Sequence, residues 1–319
     1  MKVKKIGILT SGGDAPGMNP AIYGAVKAAH ALGIEIVGFE RGYEGILNRK
    51  IKKLDITQIT DLMSKGGTYL RSARSVEYNT EAGVKKAARI CREEGIDAII
   101  VAGGDGSFRG ALDISKEGIN VVGIPATIDN DIGCSEYSLG FDTSVNTVID
   151  AIDKISDTAN SHDKCCVVEV MGRGAGYIAA YAAIATGADV VIIPEEEFDV
   201  QESLIKPLLK VKESGKNYSI VIVAEGVATA NEIGDLIREN TDLDVRTITL
   251  GHIQRGGSPT ANDRVYGCMM GAMAVELLAL GKTNRVLCIK QGRVTDIDMY
   301  EALKEKKDVD RALIRIAKF

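Results

Sequence analysis

Short apolar runs alternate along the chain with longer stretches in which apolar residues return at helical spacing. The runs at 6–9, 34–38, 97–102, 119–124, 165–170, 189–193, 219–224, 246–250 and 286–289 are mostly β-branched. Continuous runs of that kind read as strands buried in parallel sheets. Between them, helical patterns lie near 17–32, 80–94, 107–116, 143–160, 174–186, 201–213, 229–239 and 259–280. In the fourth of these, Val145, Val148, Ile149, Ile152 and Ile155 line up as one core-facing stripe. Alternation of this type predicts an α/β fold with parallel sheets, and excludes a helical bundle. A length of 319 residues is enough for about two domains.

The glycine-rich segments fall at strand ends and read as loops, because no low-complexity linker, charge run or short repeat interrupts the pattern. At Gly256-Gly257-Ser258-Pro259 a capping serine precedes a proline, so a helix is expected to start there with its positive end towards whatever His252 and Arg255 bind.

Composition narrows the function. Charged residues make up 26% and hydrophobic residues 45%, as in ordinary globular chains, and a net charge of −5 argues against a dedicated nucleic-acid binder. No apolar run approaches the roughly 18 residues of a membrane span, and no signal-type segment follows Met1-Lys2-Val3-Lys4-Lys5. Six cysteines without C-x-x-C spacing are expected to be reduced thiols of a cytoplasmic protein. With only three histidines, proton transfer falls to a carboxylate.

Three loops carry the candidate chemistry. Thr10-Ser11-Gly12-Gly13-Asp14-Ala15-Pro16-Gly17 links the first strand to a helix, either as a phosphate cradle or as a plain tight turn. It matches neither the Walker pattern nor the dinucleotide fingerprint. In Gly103-Gly104-Asp105-Gly106-Ser107 a carboxylate between glycines suits magnesium and a phosphate chain, and the alternative is an Asp that caps the next helix. In Thr127-Ile128-Asp129-Asn130-Asp131, an extended backbone would place both acids on one side, where one could act as base for a substrate hydroxyl. The alternative there is a solvated Asx turn. Arginines at 71, 74, 173, 246 and 255, with His252, are available for phosphate, which the guanidinium fork suits. Together these loops point to phosphoryl transfer.

In this order, the loops resemble those of bacterial-type 6-phosphofructokinases. The resemblance rests on Ser-Gly-Gly-Asp-Ala-Pro-Gly-Met-Asn at 11–19, Gly-Gly-Thr-Tyr-Leu-Arg-Ser-Ala-Arg at 66–74, Gly-Gly-Asp-Gly-Ser at 103–107 and Thr-Ile-Asp-Asn-Asp at 127–131. Val-Glu-Val-Met-Gly-Arg at 168–173 and Leu-Gly-His-Ile-Gln-Arg-Gly-Gly-Ser-Pro at 250–259 extend it over nearly the whole chain.

The resemblance implies two Rossmann-like three-layer α/β/α domains with mainly parallel sheets. Residues 1–140 plus 252–303 would bind nucleotide, and 141–251 plus 304–319 the sugar phosphate. It also implies transfer of the γ-phosphoryl of MgATP to the 1-hydroxyl of fructose 6-phosphate, in a homotetramer with active sites shared between subunits. Asp129 would be the base, with Thr127, Arg74 and Arg173 at the reacting groups. Gly13, Arg74, Ser75, Gly104, Asp105, Gly106 and Ser107 would line the nucleotide, with Asp105 on Mg²⁺. Thr127, Ile128, Asp129, Met171, Gly172, Arg173, Glu225, His252 and Arg255 would hold the sugar phosphate, joined by Lys164 and Arg246 from a neighbouring subunit.

Three positions bear on variation within the family. Its pyrophosphate users tend to carry Asp at Gly106 and Lys at Ala126, so the small residues here favour ATP. Lys164 stands where the family usually has Arg; it keeps the charge and loses the fork, which predicts weaker sugar-phosphate binding. The ADP and phosphoenolpyruvate effector pocket of the family maps to Tyr23, Lys27, Ile56, Ser156, Asp189 and Lys216, with Ser214 nearby. A pocket so poor in cations is expected to hold a polyanion weakly and to blunt effector control. Competing readings are a pyrophosphate-dependent phosphofructokinase, a non-catalytic paralogue that binds sugar phosphate, and a nicotinamide oxidoreductase, which lacks its fingerprint.

Overall fold

The computed structural model describes residues 3–318. Met1, Lys2 and Phe319, which the domain ranges above include, lie outside them. The chain divides into two compact units, 1–143 with 255–307, and 144–254 with 308–319. The boundaries expected from sequence, at 140/141, 251/252 and 303/304, thus stand three to four residues earlier than these.

The first unit is built on a seven-stranded sheet of order β11-β10-β5-β4-β1-β2-β3. Its strands are β1 (Lys5–Thr10), β2 (Glu35–Phe39), β3 (Ile51–Lys53), β4 (Ala98–Gly103), β5 (Asn120–Pro125), β10 (Arg285–Lys290) and β11 (Arg293–Asp298). The five apolar strands pair in parallel, and the two outer ones, β3 and β11, pair antiparallel. Helices α1 (Met18–Leu32) and α9 (Ala261–Ala279) pack against each other on one face. On the other lie α2 (Gly42–Leu47), α3 (Glu81–Glu93), α4 (Asp105–Lys116) and the short α10 (Met299–Ala302). That makes three layers. The α1–α9 contact is a backbone approach: a Cβ at Gly24 would collide with the carbonyl of Cys268, and one at Gly271 with that of Ala21.

The second unit has a four-stranded parallel sheet of order β7-β8-β6-β9. Its strands are β6 (Lys164–Val170), β7 (Val190–Ile192), β8 (Ser219–Ala224) and β9 (Asp244–Thr249). A π-helical turn over Val200–Ile205, α7 (Lys206–Glu213) and α8 (Ala230–Asn240) cover one face. Helix α6 (Tyr177–Thr186) packs on β7 and β8 and meets α11 (Arg311–Ile316). Helix α5 (Phe141–Ser161) buries Val145, Val148 and Ile152 and half-buries Ile149 and Ile155, as the stripe requires.

Two local expectations change. Helix α9 begins at Ala261 with Thr260 as its cap, its side chain accepting from the Asp263 N–H at 3.4 Å. Ser258 Oγ–H instead donates to the Ser64 carbonyl at 2.8 Å. The residues over 246–250 are not a fully buried strand, because β9 is an edge strand in which only Val245 is buried.

Candidate functional site

In an open α/β sheet, ligands collect beyond the carboxyl ends of the strands where the chain reverses its direction of travel across the sheet. In the first unit that point lies between β1 and β4, since β2 leads away on one side and β5 on the other. The loops after β1, β4 and β5 meet there. Ser11 N–H donates to the Ala102 carbonyl at 2.9 Å and Ala126 N–H to the Gly103 carbonyl at 3.0 Å. A Cβ at Gly103 would come within 2.5 Å of Ser107 Oγ and 2.6 Å of the Ser11 carbonyl, so only glycine lets the loops close up.

Gly104 is the N-cap of α4, and no side chain caps this helix. The capping role for Asp105 is therefore not what the geometry shows. Asp105 is the first helical residue, half-buried, and burial pushes its carboxyl above the usual range. The Arg109 guanidinium opposes that rise, and the negative charge of Asp131 adds to it. Gly106 faces open space: a Cβ there would touch nothing within 4 Å, and its φ is ordinary. Neither packing nor backbone demands a glycine, although it costs a helix about 1 kcal/mol against alanine. Ser107 is buried, and its carbonyl accepts from Tyr43 Oη–H at 2.6 Å. Tyr43 stacks on Tyr78, whose hydroxyl donates to the Gly110 carbonyl at 2.8 Å, so two tyrosines hold α4 behind the loop.

The segment after β5 does not stay extended. Asn130 is left-handed at φ 53°, and the turn separates the two acids expected on one side. Asp129 is buried with Ile128, its N–H donating to Thr127 Oγ1 at 3.2 Å, whereas Asp131 is exposed and interacts with Asp105. The turn is locked from within: Asn130 Oδ1 accepts from the Ser138 N–H at 3.0 Å, and Ser138 Oγ–H donates to the Thr127 carbonyl at 2.7 Å. Buried Asp263 then receives Tyr137 Oη–H at 2.5 Å and the N–H groups of Gly140 and Thr143, tying the end of the loop to α9.

Arg71 and Arg74 are exposed on a loop fastened to the first one. Asn19, 2% exposed, donates to the Lys65 and Gly66 carbonyls and accepts from Tyr69 N–H at 2.6 Å. Thr10 Oγ1–H donates to the Arg71 carbonyl at 2.9 Å and Ser72 Oγ–H to the Gly12 carbonyl at 2.7 Å. Ser75 Oγ accepts from the Tyr78 N–H. Arg255 lies in this unit too: it packs on Gly13, where a Cβ would collide with Nη1, and donates to the Asp14 carbonyl at 3.2 Å.

In the second unit, the ends of β6, β8 and β9 bring Met171, Gly172, Arg173, Glu225 and His252 to one edge. Glu225 Oε1 accepts from the N–H groups of Gly172 at 3.3 Å and Arg173 at 2.9 Å, fixing a left-handed Arg173 at φ 54°. Gln254, fully buried, accepts from Met171 N–H at 3.0 Å and donates to the Gly251 carbonyl at 3.0 Å. It thus joins the two loops. His252 and Arg173 are exposed.

Lys164 and Arg246 do not join that edge. Lys164 opens β6 while Met171 follows its last residue, a separation of roughly 20 Å at strand rise. Both cations instead bind Asp244: Lys164 in an ion pair, and Arg246 through Nη1 to Oδ1 at 2.8 Å. Of the effector positions, Tyr23 and Lys27 sit on α1, Ile56 opens a short 3₁₀ turn, Ser156 lies on α5, and Ser214 ends α7. Lys216 Nζ donates to both oxygens of Asp189, at 2.7 and 2.8 Å, so of the two cations at these positions, Lys27 and Lys216, the second is already engaged.

Sequence reasoning passed over Asn19, Ser138, Gln254 and Asp263. Their signal is faint, because a polar residue inside a motif looks the same whether it meets substrate or holds the loop. No helix among the described residues is long and apolar enough to cross a membrane.

Comparison with known proteins converges on one group. The sequence profile of the family described as Phosphofructokinase matches residues 5–278. The ATP-dependent 6-phosphofructokinase of Clostridium botulinum (strain Hall) is 49% identical over 315 residues, covering 99% of this chain and 98% of that protein. The ATP-dependent 6-phosphofructokinase of Clostridium tetani is 49% identical over 316 residues, with 99% of each covered. Among solved structures, phosphofructokinase from Saccharomyces cerevisiae superposes with a TM-score of 0.89 at 33% identity. That match covers 94% of this chain and 45% of the yeast chain.

Proposed function

The chain belongs to the phosphofructokinase family, and from that premise we infer that it transfers the γ-phosphoryl group of ATP to the 1-hydroxyl of fructose 6-phosphate. The products are fructose 1,6-bisphosphate and ADP, the glycolytic reaction. The observation that carries the assignment of roles is the meeting of three strand-end loops around buried Asp129 and half-buried Asp105.

Each role follows from chemistry at a named atom. The carboxylate of Asp129 accepts the proton of the 1-hydroxyl as the oxygen attacks, a contribution of about 10²–10⁴-fold. Thr127 lies beside it, its Oγ1 bound to the Asp129 N–H. The N–H groups of Gly104, Asp105 and Gly106 at the start of α4 take negative charge from the donor phosphates, while that of Ser107 donates to the Gly104 carbonyl at 2.9 Å. Arg74 and Arg173 offset charge on the moving phosphoryl group, since such catalysis is mostly positioning and electrostatics. The first unit serves as the nucleotide domain, and the second, with Met171, Gly172, Arg173, Glu225 and His252, as the sugar-phosphate domain. Arg255, resting on Gly13, stands where the two tasks adjoin in sequence and steadies the first loop.

Asp105 suits magnesium. Its carboxylate is held partly out of water beside Asp131, an arrangement that a divalent cation relieves. No group of three or more metal-binding side chains exists among the described residues, which fits an ion that keeps waters and phosphate oxygens as ligands. When bound, the ion neutralises the phosphate chain of the nucleotide.

Lys164 and Arg246 lie too far from Met171 to serve the same sugar within one chain. Their use requires a second subunit, and the proposed assembly is a homotetramer whose sites are completed by a neighbour. The open space at Gly106 favours ATP over pyrophosphate, because a larger side chain there would take up room that an adenosine-bearing donor needs. The test is formation of fructose 1,6-bisphosphate from fructose 6-phosphate, with MgATP and magnesium pyrophosphate compared side by side. Turnover with ATP alone is expected. Turnover with pyrophosphate overturns the size argument, and none with either overturns the assignment.

A further inference from the structure

We propose that Asp244 is a built-in competitor of the sugar phosphate, occupying the two cations meant for the 6-phosphate and so setting how tightly that substrate binds. The inference rests on the reading that Lys164 and Arg246 serve this phosphate.

Strand geometry fixes the cluster. Lys164 on β6 and Asp244 on β9 are direct register partners, and Arg246, two residues along β9, falls on the same face as Asp244. One carboxylate oxygen pairs with the Lys164 ammonium and the other accepts from Arg246 Nη1. The hydrogen bond from Lys164 is the first cause that holds the Asp244 carboxyl below its usual range, so it stays charged at neutral pH. Lys164 is 21% exposed and Asp244 47%, close enough to the surface for a neighbour's ligand to reach.

Two cations and one carboxylate leave a single positive charge. A phosphate monoester brings about −1.5 to −2 and presents its own oxygens to both cations. To pair with them it must share them with Asp244 or displace it, and while Asp244 remains its charge opposes the phosphate. A carboxylate about 4 Å from one unit charge in water is worth about fivefold in affinity, more for a dianion and less with salt screening. Lysine makes the competition effective. It gives the phosphate one point contact where arginine would give two, so the internal acid gives up less to the substrate.

The opposite role is also defined: an acid that merely orients Lys164 would strengthen substrate binding. Steady-state kinetics on the intact assembly separate the two. Asp244→Asn is expected to lower the KM for fructose 6-phosphate about three- to tenfold, with the KM for ATP unchanged, and Asp244→Glu to keep it near the parent value. Lys164→Ala is expected to raise it. A KM that is unchanged or raised in Asp244→Asn, while Lys164→Ala still raises it, overturns the competition and leaves the substrate assignment standing. If neither Lys164→Ala nor Arg246→Ala alters the KM, the assignment itself fails and takes the inference with it.

Discussion

Replacing Asn130 by alanine probes the turn that presents Asp129. Asn130 is 2% exposed and left-handed at φ 53°. Alanine at such an angle costs about 1–2 kcal/mol. The Ser138 N–H, now 3.0 Å from Asn130 Oδ1, would lose its partner in a buried place, at about 1–3 kcal/mol. The sum is about 2–5 kcal/mol, which lowers the Tm of a unit of this size by about 4–20 °C at fixed protein concentration. Asn130→Gly loses the same hydrogen bond without the angular strain, so it should be more stable than Asn130→Ala by about 1 kcal/mol. In both variants the turn loosens and Asp129 drifts, and a displacement near 1 Å costs on the order of 10²-fold in kcat. Thermal unfolding and kcat at saturating substrates measure the two effects. Parent-like Tm and kcat in Asn130→Ala, or an alanine variant more stable than the glycine one, would refute the reasoning.

Three further outcomes follow from the same geometry. Burial raises the Asp105 carboxyl, so the folded state binds its proton more readily than the unfolded chain; stability should fall as pH rises through that titration, and the charge costs stability at neutral pH. Asp105→Asn should therefore raise the Tm of the ligand-free protein at pH 7.5, lose that advantage near pH 4, and lose most MgATP-dependent activity; a lower Tm at pH 7.5 contradicts this. Lys164→Arg should lower the KM for fructose 6-phosphate by about three- to tenfold, because the fork restores a second hydrogen bond, and an unchanged KM would sink the idea. With Lys216 bound to Asp189 and neither Tyr23 nor Ser156 cationic, ADP and phosphoenolpyruvate should shift the fructose 6-phosphate saturation curve less than twofold; a strong shift refutes blunted control.

The apolar strands were legible in the sequence because burial in a parallel sheet leaves a continuous run, as at Ala98–Gly103. Strands β3 and β11 were not, since Ile51-Lys52-Lys53 and Arg293–Asp298 are sheet edges that mix charged with apolar residues and hold no fully buried position. Small helices such as α2 and α11 are too short to show a period. Within the site, the loops that bear the chemistry announced themselves through glycine and aspartate. The side chains that aim those loops did not. Asp131 was misplaced beside Asp129 because the left-handed turn at Asn130 depends on Ser138, eight residues further on. Gln254 shows its role only once the ends of β6 and β9 are brought together.

The measurement that goes most directly to the central claim is the kcat of Asp129→Asn, taken alongside its KM for fructose 6-phosphate and its affinity for ATP. An acid that removes the hydroxyl proton in the transition state predicts a kcat lower by about 10²–10⁴-fold, with ATP binding retained and sugar-phosphate KM changed by less than about tenfold. A kcat within tenfold of the parent would contradict the account and pass the role of base to another group.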